Sequence, residues 1–224
     1  MDKRGDVMTI EFDSDNHIYT VDGRRVPSVT DICSPITDEH YGSINAAILE
    51  MASRRGTAVH EATELIDFGE LPEDDPEIEG YINAYLDFLL DYQPKWNYIE
   101  WIGYNDELNY CGTIDRAGTV GNEFWVMDIK TTASPNRANY IATCCQTRAY
   151  AIMLEAEQSC KRKILYLKKD GSYRIVDCED KEAELALDSF YLFTKLCQIK
   201  NYISKVKETK NGKKKVDESS HPVG

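Results

Sequence analysis

Long apolar segments are absent from this sequence. None of its 224 residues belongs to an apolar run of about 18 residues, the length that a helix needs to cross a membrane. The N-terminal stretch MDKRGDVMTIEFDSD also lacks the apolar core of a signal peptide. We therefore expect a cytoplasmic protein without a membrane span.

Cysteines at metal-ligand or redox spacing are absent as well. No Cys-x-x-Cys motif occurs, which argues against a zinc ribbon or a thioredoxin-like site. The number of cysteines is odd, and a chain of this length needs no disulfide framework to fold. We expect reduced and mostly buried thiols at all seven positions: Cys33, Cys111, Cys144, Cys145, Cys160, Cys178 and Cys197.

Basic residues are few. The chain has 26 Lys and Arg against 39 Asp and Glu, so its formal net charge is −13. This balance argues against binding to DNA or to an anionic membrane over the whole surface. It leaves room for a local basic lane, for which Lys161, Arg162 and Lys163 are candidates. The 14 Tyr and three Trp include candidates for stacking on bases, although most of them are expected in the core.

The spacing of apolar residues predicts one domain over residues 1–207. Its expected parts are an N-terminal hairpin over 7–22, a helical segment over 43–92, a sheet core over 97–178 and a closing helix over 181–206. In the helical segment, Ser43 is the expected N-cap of a first helix that ends near Gly56, and residues 77–92 form an amphipathic helix. The order of elements indicates an α/β fold with a central mixed β-sheet flanked by helices. The basic tail over 208–224 is predicted to be disordered.

The segment GTIDRAGTVGNEFWVMDIKTT places two aspartates on neighbouring strands. Gly121 and Asn122 suit a two-residue hairpin loop, because glycine readily adopts the positive φ of a type II′ turn. In that register Asp115 lies opposite Asp128, with Cβ atoms about 4.5–5.5 Å apart. Lys130 shares the face of Asp128, because alternate residues of a strand point the same way.

Two interpretations of these side chains remain open. Like charges directly opposite each other destabilise a hairpin, and a hard cation such as Mg²⁺ between the carboxylates would remove that repulsion. A lysine beside such a cation could polarise a phosphate or help to activate water. Alternatively, Lys130 bridges the two aspartates as a structural salt bridge.

Four short motifs follow one another along the chain: GxxxH ending at His60, GxIDR around Asp115, DIK over 128–130 and QxxxY from Gln146 to Tyr150. None of them is specific alone. In this order and spacing they resemble the RecB-type branch of the PD-(D/E)xK nuclease superfamily, over residues 54–150. The segment VPSVTDIC extends the resemblance toward the phage-type exonucleases of that branch.

The resemblance implies a restriction-endonuclease-like core that binds Mg²⁺ or Mn²⁺. The implied metal ligands are His60, Asp115, Asp128 and the main-chain carbonyl of Ile129. Lys130 would be the catalytic lysine, and Gln146 and Tyr150 a helix pair that supports the site and contacts the DNA strand. Glu64 and Glu100 are weaker candidates for an outer-shell or second-metal role.

Two features of the sequence depart from parts of this superfamily. Ile114 stands where the superfamily name places proline, a variant that is common in the RecB-type branch. Some relatives hold an iron–sulfur cluster with one early cysteine and a tight late group. Here Cys160, Cys178 and Cys197 are 18 and 19 residues apart, so we expect no iron–sulfur cluster.

The implied activity is a metal-dependent DNA exonuclease that hydrolyses phosphodiester bonds from linear ends, single- or double-stranded. Relatives of this size suggest phage or prophage recombination or repair, in which a recombination partner protein or further copies of the chain could take part. No GxSxG-like nucleophile motif occurs, which agrees with hydrolysis by water. The alternatives are a site-specific or structure-specific endonuclease of the same fold, a non-catalytic DNA-binding module, and a structural protein with a salt-bridge cluster.

Overall fold

The structure, a computed structural model, describes residues 8–14, 16–42, 44–132 and 136–178, with isolated positions between 188 and 199. It begins with a small antiparallel sheet whose strands are β1 (Ile10–Asp13), β2 (Ile18–Val21) and β3 (Arg24–Val26). Strands β1 and β2 pair antiparallel and lie within the range 7–22 of the predicted N-terminal hairpin. The third strand, which is only three residues long, was not expected from the sequence.

Two helices follow the small sheet. Helix α1 (Val29–Tyr41) begins with a reciprocal cap, in which the Ser28 hydroxyl accepts from the Asp31 N–H at 2.9 Å and the Asp31 carboxylate accepts from the Ser28 N–H at 3.1 Å. Helix α2 (Ala46–Asp67) has Asn45 as its N-cap. The predicted cap Ser43 lies outside the described residues.

The predicted helix break near Gly56 is wrong, because α2 runs through this residue without interruption. A glycine inside a helix costs only about 1 kcal/mol relative to alanine. Burial of Val59 and Ala62 in the core offsets that cost. The next helix, α3 (Glu79–Tyr92), confirms the amphipathic helix predicted over 77–92.

The second half of the chain builds the central five-stranded sheet. Its elements are β4 (Lys95–Asn105), β5 (Tyr110–Val120), β6 (Glu123–Lys130), α4 (Arg137–Met153), β7 (Cys160–Leu167) and β8 (Tyr173–Asp177). The strands lie in sequence order, and all neighbours are antiparallel except β6 and β7, which α4 connects as a parallel pair. The α/β class with a central mixed sheet flanked by helices is confirmed. Most of the predicted closing helix over 181–206 and the whole tail over 208–224 lie outside the described residues.

Helices cover both faces of the central sheet. Helices α1 and α4 bury one apolar cluster with Ile114 and Val126, and α2 and α3 bury another with Met127 and Ile129. The small sheet packs through Tyr19 against strands β4 and β5. Within the described ranges, no helix has the length and apolarity that a membrane crossing requires.

Candidate active site

The β5–β6 hairpin follows the predicted register. Gly121 has φ +60°, and pairing runs from Val120 with Glu123 to Arg116 with Met127. No β5–β6 pair follows, whereas β6 continues to pair with β7 as far as Lys130. The two strands therefore separate at the predicted aspartate pair.

Asp115 uses this separation to reach the main chain of β6. Its Oδ2 accepts a hydrogen bond from the Ile129 N–H at 2.6 Å, one residue beyond the position that the register places opposite it. The Asp115 side chain is buried, and burial raises its pKa to about 7; the charge of Asp128 adds to the rise and that of His60 opposes it. A cation close to Asp115 would therefore strongly stabilise the ionised form of this carboxyl group.

Glu100 enters the site from β4 through an irregular backbone. Ile99 pairs with Arg116 and Trp101 with Ile114, so Glu100 lies opposite Asp115 at an interruption of the ladder. Its φ of +41° is uncommon for a residue other than glycine. Such strain is typical of functional positions, where the surrounding structure holds the backbone in place.

His60 on α2 connects the strands. Its Nδ1 lies 3.0 Å from Glu100 Oε1, and its Nε2 lies 3.1 Å from the Ile129 carbonyl oxygen and 3.8 Å from Asp115 Oδ2. Both hydrogen-bond partners are acceptors, so both ring nitrogens donate and the ring is an imidazolium. Burial alone would lower the pKa of His60, but the charges of Asp115 and Glu100 outweigh it and raise the pKa to about 9.

These three side chains form a potential metal-binding group. One ligand atom each from His60, Glu100 and Asp115 lies within 4.8 Å of the others. The two carboxylates suit Mg²⁺ or Mn²⁺, which favour oxygen ligands. The donor set therefore fits the divalent cation that the sequence motifs imply.

Asp128 and Lys130 form an ion pair beside this group. Lys130 Nζ lies 2.7 Å from Asp128 Oδ2, and the Asp128 side chain is fully buried. Among the described residues, the buried Asp128 Oδ1 has no hydrogen-bond partner, so this carboxylate oxygen lacks a compensating donor or cation. Burial alone would lower the pKa of Lys130, but the charges of Asp128 and Asp115 raise it, so the amine is protonated at neutral pH.

A buried arginine, Arg116, holds two of the site residues in place through hydrogen bonds. The guanidinium of Arg116 is fully buried and donates to Asp67 Oδ2 at 2.5 Å, to Glu100 Oε1 at 2.9 Å and to the Asp115 carbonyl oxygen at 2.6 Å. It also donates to Thr63 Oγ1 at 3.1 Å. Arg116 thus fixes both Glu100 and the backbone of Asp115, and through Glu100 it orients His60.

The predicted helix pair on α4 is present. Gln146 Nε2 donates to the Tyr150 hydroxyl at 3.0 Å, and Tyr150 is buried. A Cβ atom added to Gly112 would lie 2.7 Å from Tyr150 Cε1 and 3.0 Å from Val29 Cγ2. The glycine of the GxIDR motif therefore lets α4 and α1 approach β5 closely.

Two cavities meet at the site. One, of about 740 Å³, lies between the small sheet and α2, and the other, of about 620 Å³, lies beneath the α1–α2 connection. The residues that line both are Thr30, Ala52, Lys130, Thr131 and Gln146. A ligand of nucleotide size can therefore approach Lys130 from either side.

The structure brings most of the predicted site residues together, but the contacts of Glu100 and Asp128 differ from those expected. Glu100, a weaker candidate in the sequence, contacts His60 and joins the metal-binding group, whereas Asp128 pairs with Lys130. Glu64 lines the larger cavity, but the partner of His60 is Glu100. Predicted roles in metal binding and catalysis remain predictions.

Two features of the structure, the role of Arg116 and the position of Lys163, were not predicted from the sequence. The role of Arg116 was not foreseen, although a charged residue inside a strand as apolar as β5 is a signal that could have found it. In the proposed basic lane, Lys163 lies 2.5 Å from Asp177 Oδ1 and 4.8 Å from the ring centre of Trp125. It lines neither cavity at the site.

Comparisons with known proteins give weak likenesses only. No protein-family model matches the chain, and no curated protein matches it. An alkaline exonuclease (LHK-Exo) from Laribacter hongkongensis is 16% identical over 80% of this chain and 92% of that chain, with a TM-score of 0.35. LHK-Exo in complex with dAMP is 13% identical over 84% and 94%, with a TM-score of 0.36, and SSO0001 is 15% identical over 74% and 84%, with a TM-score of 0.32. At such identities and TM-scores, the likeness by itself assigns neither a family nor a function.

Proposed function

We propose that this protein is a divalent-metal-dependent deoxyribonuclease, and that it acts as an exonuclease on DNA ends. The observation that carries the proposal is the convergence of His60, Glu100 and Asp115 within 4.8 Å, next to the Asp128–Lys130 ion pair at the point where β5 and β6 separate. The order of motifs along the chain supports the same function, because it resembles that of RecB-type nucleases. A role in phage or prophage recombination or repair follows from the resemblance alone.

In this proposal the carboxylates and the imidazole hold Mg²⁺ or Mn²⁺. The residues that would bind it are Glu100, Asp115 and His60. Asp128 Oδ1 and the Ile129 carbonyl are the candidates to complete its coordination shell. When bound, such a cation neutralises phosphate charge and lowers the pKa of water at the site. His60 can enter the shell only after it loses a proton, so binding should release protons.

Lys130 then acts as an electrostatic group. Its protonated amine can donate a hydrogen bond to a phosphate oxygen or to the attacking water, and so stabilise the charge that develops during hydrolysis. Asp128 holds this amine at 2.7 Å and limits its rotation. Gln146 and Tyr150 line the larger cavity beside it and can orient the strand.

The test is degradation of end-labelled linear DNA beside a circular control, with Mg²⁺, Mn²⁺ or EDTA. The variants are Asp128→Asn and Lys130→Met, with Lys163→Met as a matched control because that lysine lines neither cavity. The proposal predicts metal-dependent loss of linear DNA, abolished by the first two substitutions and retained in the control.

Other outcomes would redirect or end the proposal. Cutting of the circle would indicate an endonuclease. Absence of cleavage, together with no heat of Mn²⁺ binding in calorimetry, would indicate that Glu100, Asp115 and Asp128 belong to a structural salt-bridge cluster.

A further inference from the structure

The N-terminal hairpin forms one wall of the larger cavity with aromatic side chains. The rings of Phe12 and Tyr19 are stacked, with centroids 4.4 Å apart and an interplanar angle of 24°. His17 meets both rings edge-on, with centroids 5.3 Å from Phe12 and 5.6 Å from Tyr19. Tyr19 is buried, Phe12 is half-buried and His17 is exposed. We call Phe12, His17 and Tyr19 the aromatic ledge.

The ledge is anchored to the strand that carries Asp115. The Tyr19 hydroxyl and Thr113 Oγ1 lie 2.7 Å apart, and Thr113 is two residues before Asp115 on β5. All members of the ledge line the same cavity as His60, Glu100 and Asp115. The ledge and the metal-binding group are thus connected through β5.

Across the cavity from the ledge, α2 leaves open space. A Cβ atom added to Gly56 would meet nothing within 4 Å. At about 740 Å³, the cavity falls within the range of about 300–1,000 Å³ that is usual for small-molecule sites. A nucleobase and its sugar can therefore fit between the ledge and α2.

The charged residues that line the two cavities favour different parts of a nucleotide. Among the described residues that line the larger cavity, the cations Lys130 and protonated His60 face four carboxylates, those of Glu61, Glu64, Glu100 and Asp115. In the smaller cavity, as far as the described residues line it, Arg55 and Lys130 face one carboxylate, Asp38. Phosphate groups are therefore favoured in the smaller cavity and at a metal-loaded His60–Glu100–Asp115 group, whereas the carboxylate-lined part of the larger cavity beside the ledge suits an uncharged base.

We propose that the aromatic ledge binds the base of an unpaired nucleotide, so that the substrate is single-stranded DNA or a frayed end. A base within a duplex is already stacked and paired, whereas an unpaired base can lay its ring face against Phe12 and His17. Aromatic rings bind bases in this way with little preference for sequence. This inference rests on the proposed function, since it names the substrate of the same site.

The test measures binding and cleavage separately. Binding of fluorescent oligodeoxythymidylate is compared with that of an oligomer of the same length with abasic sites, by anisotropy in Ca²⁺, and electrophoresis checks that both oligomers stay intact. The variants are Phe12→Leu, which keeps an apolar side chain in the hairpin, and His17→Ala. Trp101→Leu is the matched control, because Trp101 is 38% exposed on β4 and does not line the cavity.

We expect wild-type protein and the Trp101→Leu control to prefer the base-bearing oligomer. Each ledge variant should weaken binding of that oligomer about 5- to 100-fold and leave binding of the abasic oligomer unchanged. Equal binding of both oligomers by wild type, or a preference that survives both ledge substitutions, overturns the ledge. Cleavage is assayed separately with Mg²⁺ and Mn²⁺, so a protein that shows the ledge preference but cuts neither oligomer contradicts the nuclease function and leaves the binding site standing.

Discussion

Replacement of Arg116 by methionine should damage both the stability of the protein and the geometry of its site. The substitution keeps an unbranched side chain in the core but removes a guanidinium that is fully buried against Asp67, whose side chain is 3% exposed, and Glu100, whose side chain is 19% exposed. Removal of one partner from a buried ion pair typically costs about 3–5 kcal/mol, because the other charge is left without compensation. We expect the free energy of unfolding of Arg116→Met to fall by about that amount.

Urea denaturation of wild type, Arg116→Met and the double variant Arg116→Met/Asp67→Asn measures this effect. If the loss arises from the unpaired charge, the second substitution should restore about 1 kcal/mol or more, because a neutral amide is cheaper to bury than a carboxylate. The assignment of Arg116 to a buried charge network would be refuted by either of two results. One is a decrease of less than about 1 kcal/mol in the free energy of unfolding of Arg116→Met, and the other is a double variant that is less stable than the single one.

The same variant tests the positioning role. Groups that orient metal ligands typically contribute about 10- to 100-fold to metal affinity. Calorimetric titration of folded Arg116→Met with Mn²⁺ should therefore give a weaker affinity by about that factor, since Glu100 and the Asp115 backbone lose their donor. An unchanged Mn²⁺ affinity would restrict Arg116 to stability.

Three further predictions concern single residues. Lys130→Met should cut DNA about 10²- to 10³-fold more slowly while it still binds Mn²⁺, as single-turnover kinetics beside calorimetry would show, and an undiminished rate would exclude Lys130 from catalysis. The pKa of Asp115 is raised from 3.8 to about 7, so the stabilisation of its protonated form is complete below pH 3.8 and is lost as the pH rises through 7. In EDTA, urea midpoints should therefore show an advantage of Asp115→Asn over wild type that grows between about pH 4 and pH 7, and a flat difference would contradict the raised pKa. Gly112→Ala forces its new methyl group against Tyr150 and should lower stability by about 1–3 kcal/mol, whereas an unchanged melting temperature would mean that α4 moves away freely.

Local rules made the β5–β6 hairpin predictable from the sequence. Gly121 defines a two-residue loop, and a period of two along each strand then fixes every pair up to Arg116 and Met127. The order of motifs added His60, which lies on a helix 55 residues before Asp115 in sequence and 3.8 Å from its carboxylate in space. Distance along the chain hides such a contact, and only the resemblance to a known motif order pointed to it.

The remaining parts of the site depend on contacts that no local pattern encodes. Glu100, a weaker candidate in the sequence, reaches His60 because its backbone adopts a positive φ at an interruption of β4, and nothing in NYIEWIGY predicts that backbone conformation. Asp115 bonds to the Ile129 N–H because β5 and β6 separate, whereas a regular ladder would have placed it squarely opposite Asp128. The helix break expected at Gly56 failed for the converse reason, since tertiary burial of α2 outweighs the weak preference of one residue.

The charge balance of the site explains how so acidic a chain could act on DNA. The groups that form its ion pairs are the carboxylates of Asp67, Glu100, Asp115 and Asp128 and the cations of Arg116, Lys130 and protonated His60. Without the His60 proton, four negative groups face two positive ones, and the proton offsets one of the two uncompensated negative charges. A divalent cation in place of that proton makes this set of groups neutral, and it does so where the proposed reaction brings a phosphate. The overall charge of −13 then restricts attraction of DNA to the loaded site and the cavity beside Arg55, so binding should depend on the cation far more than on the rest of the surface.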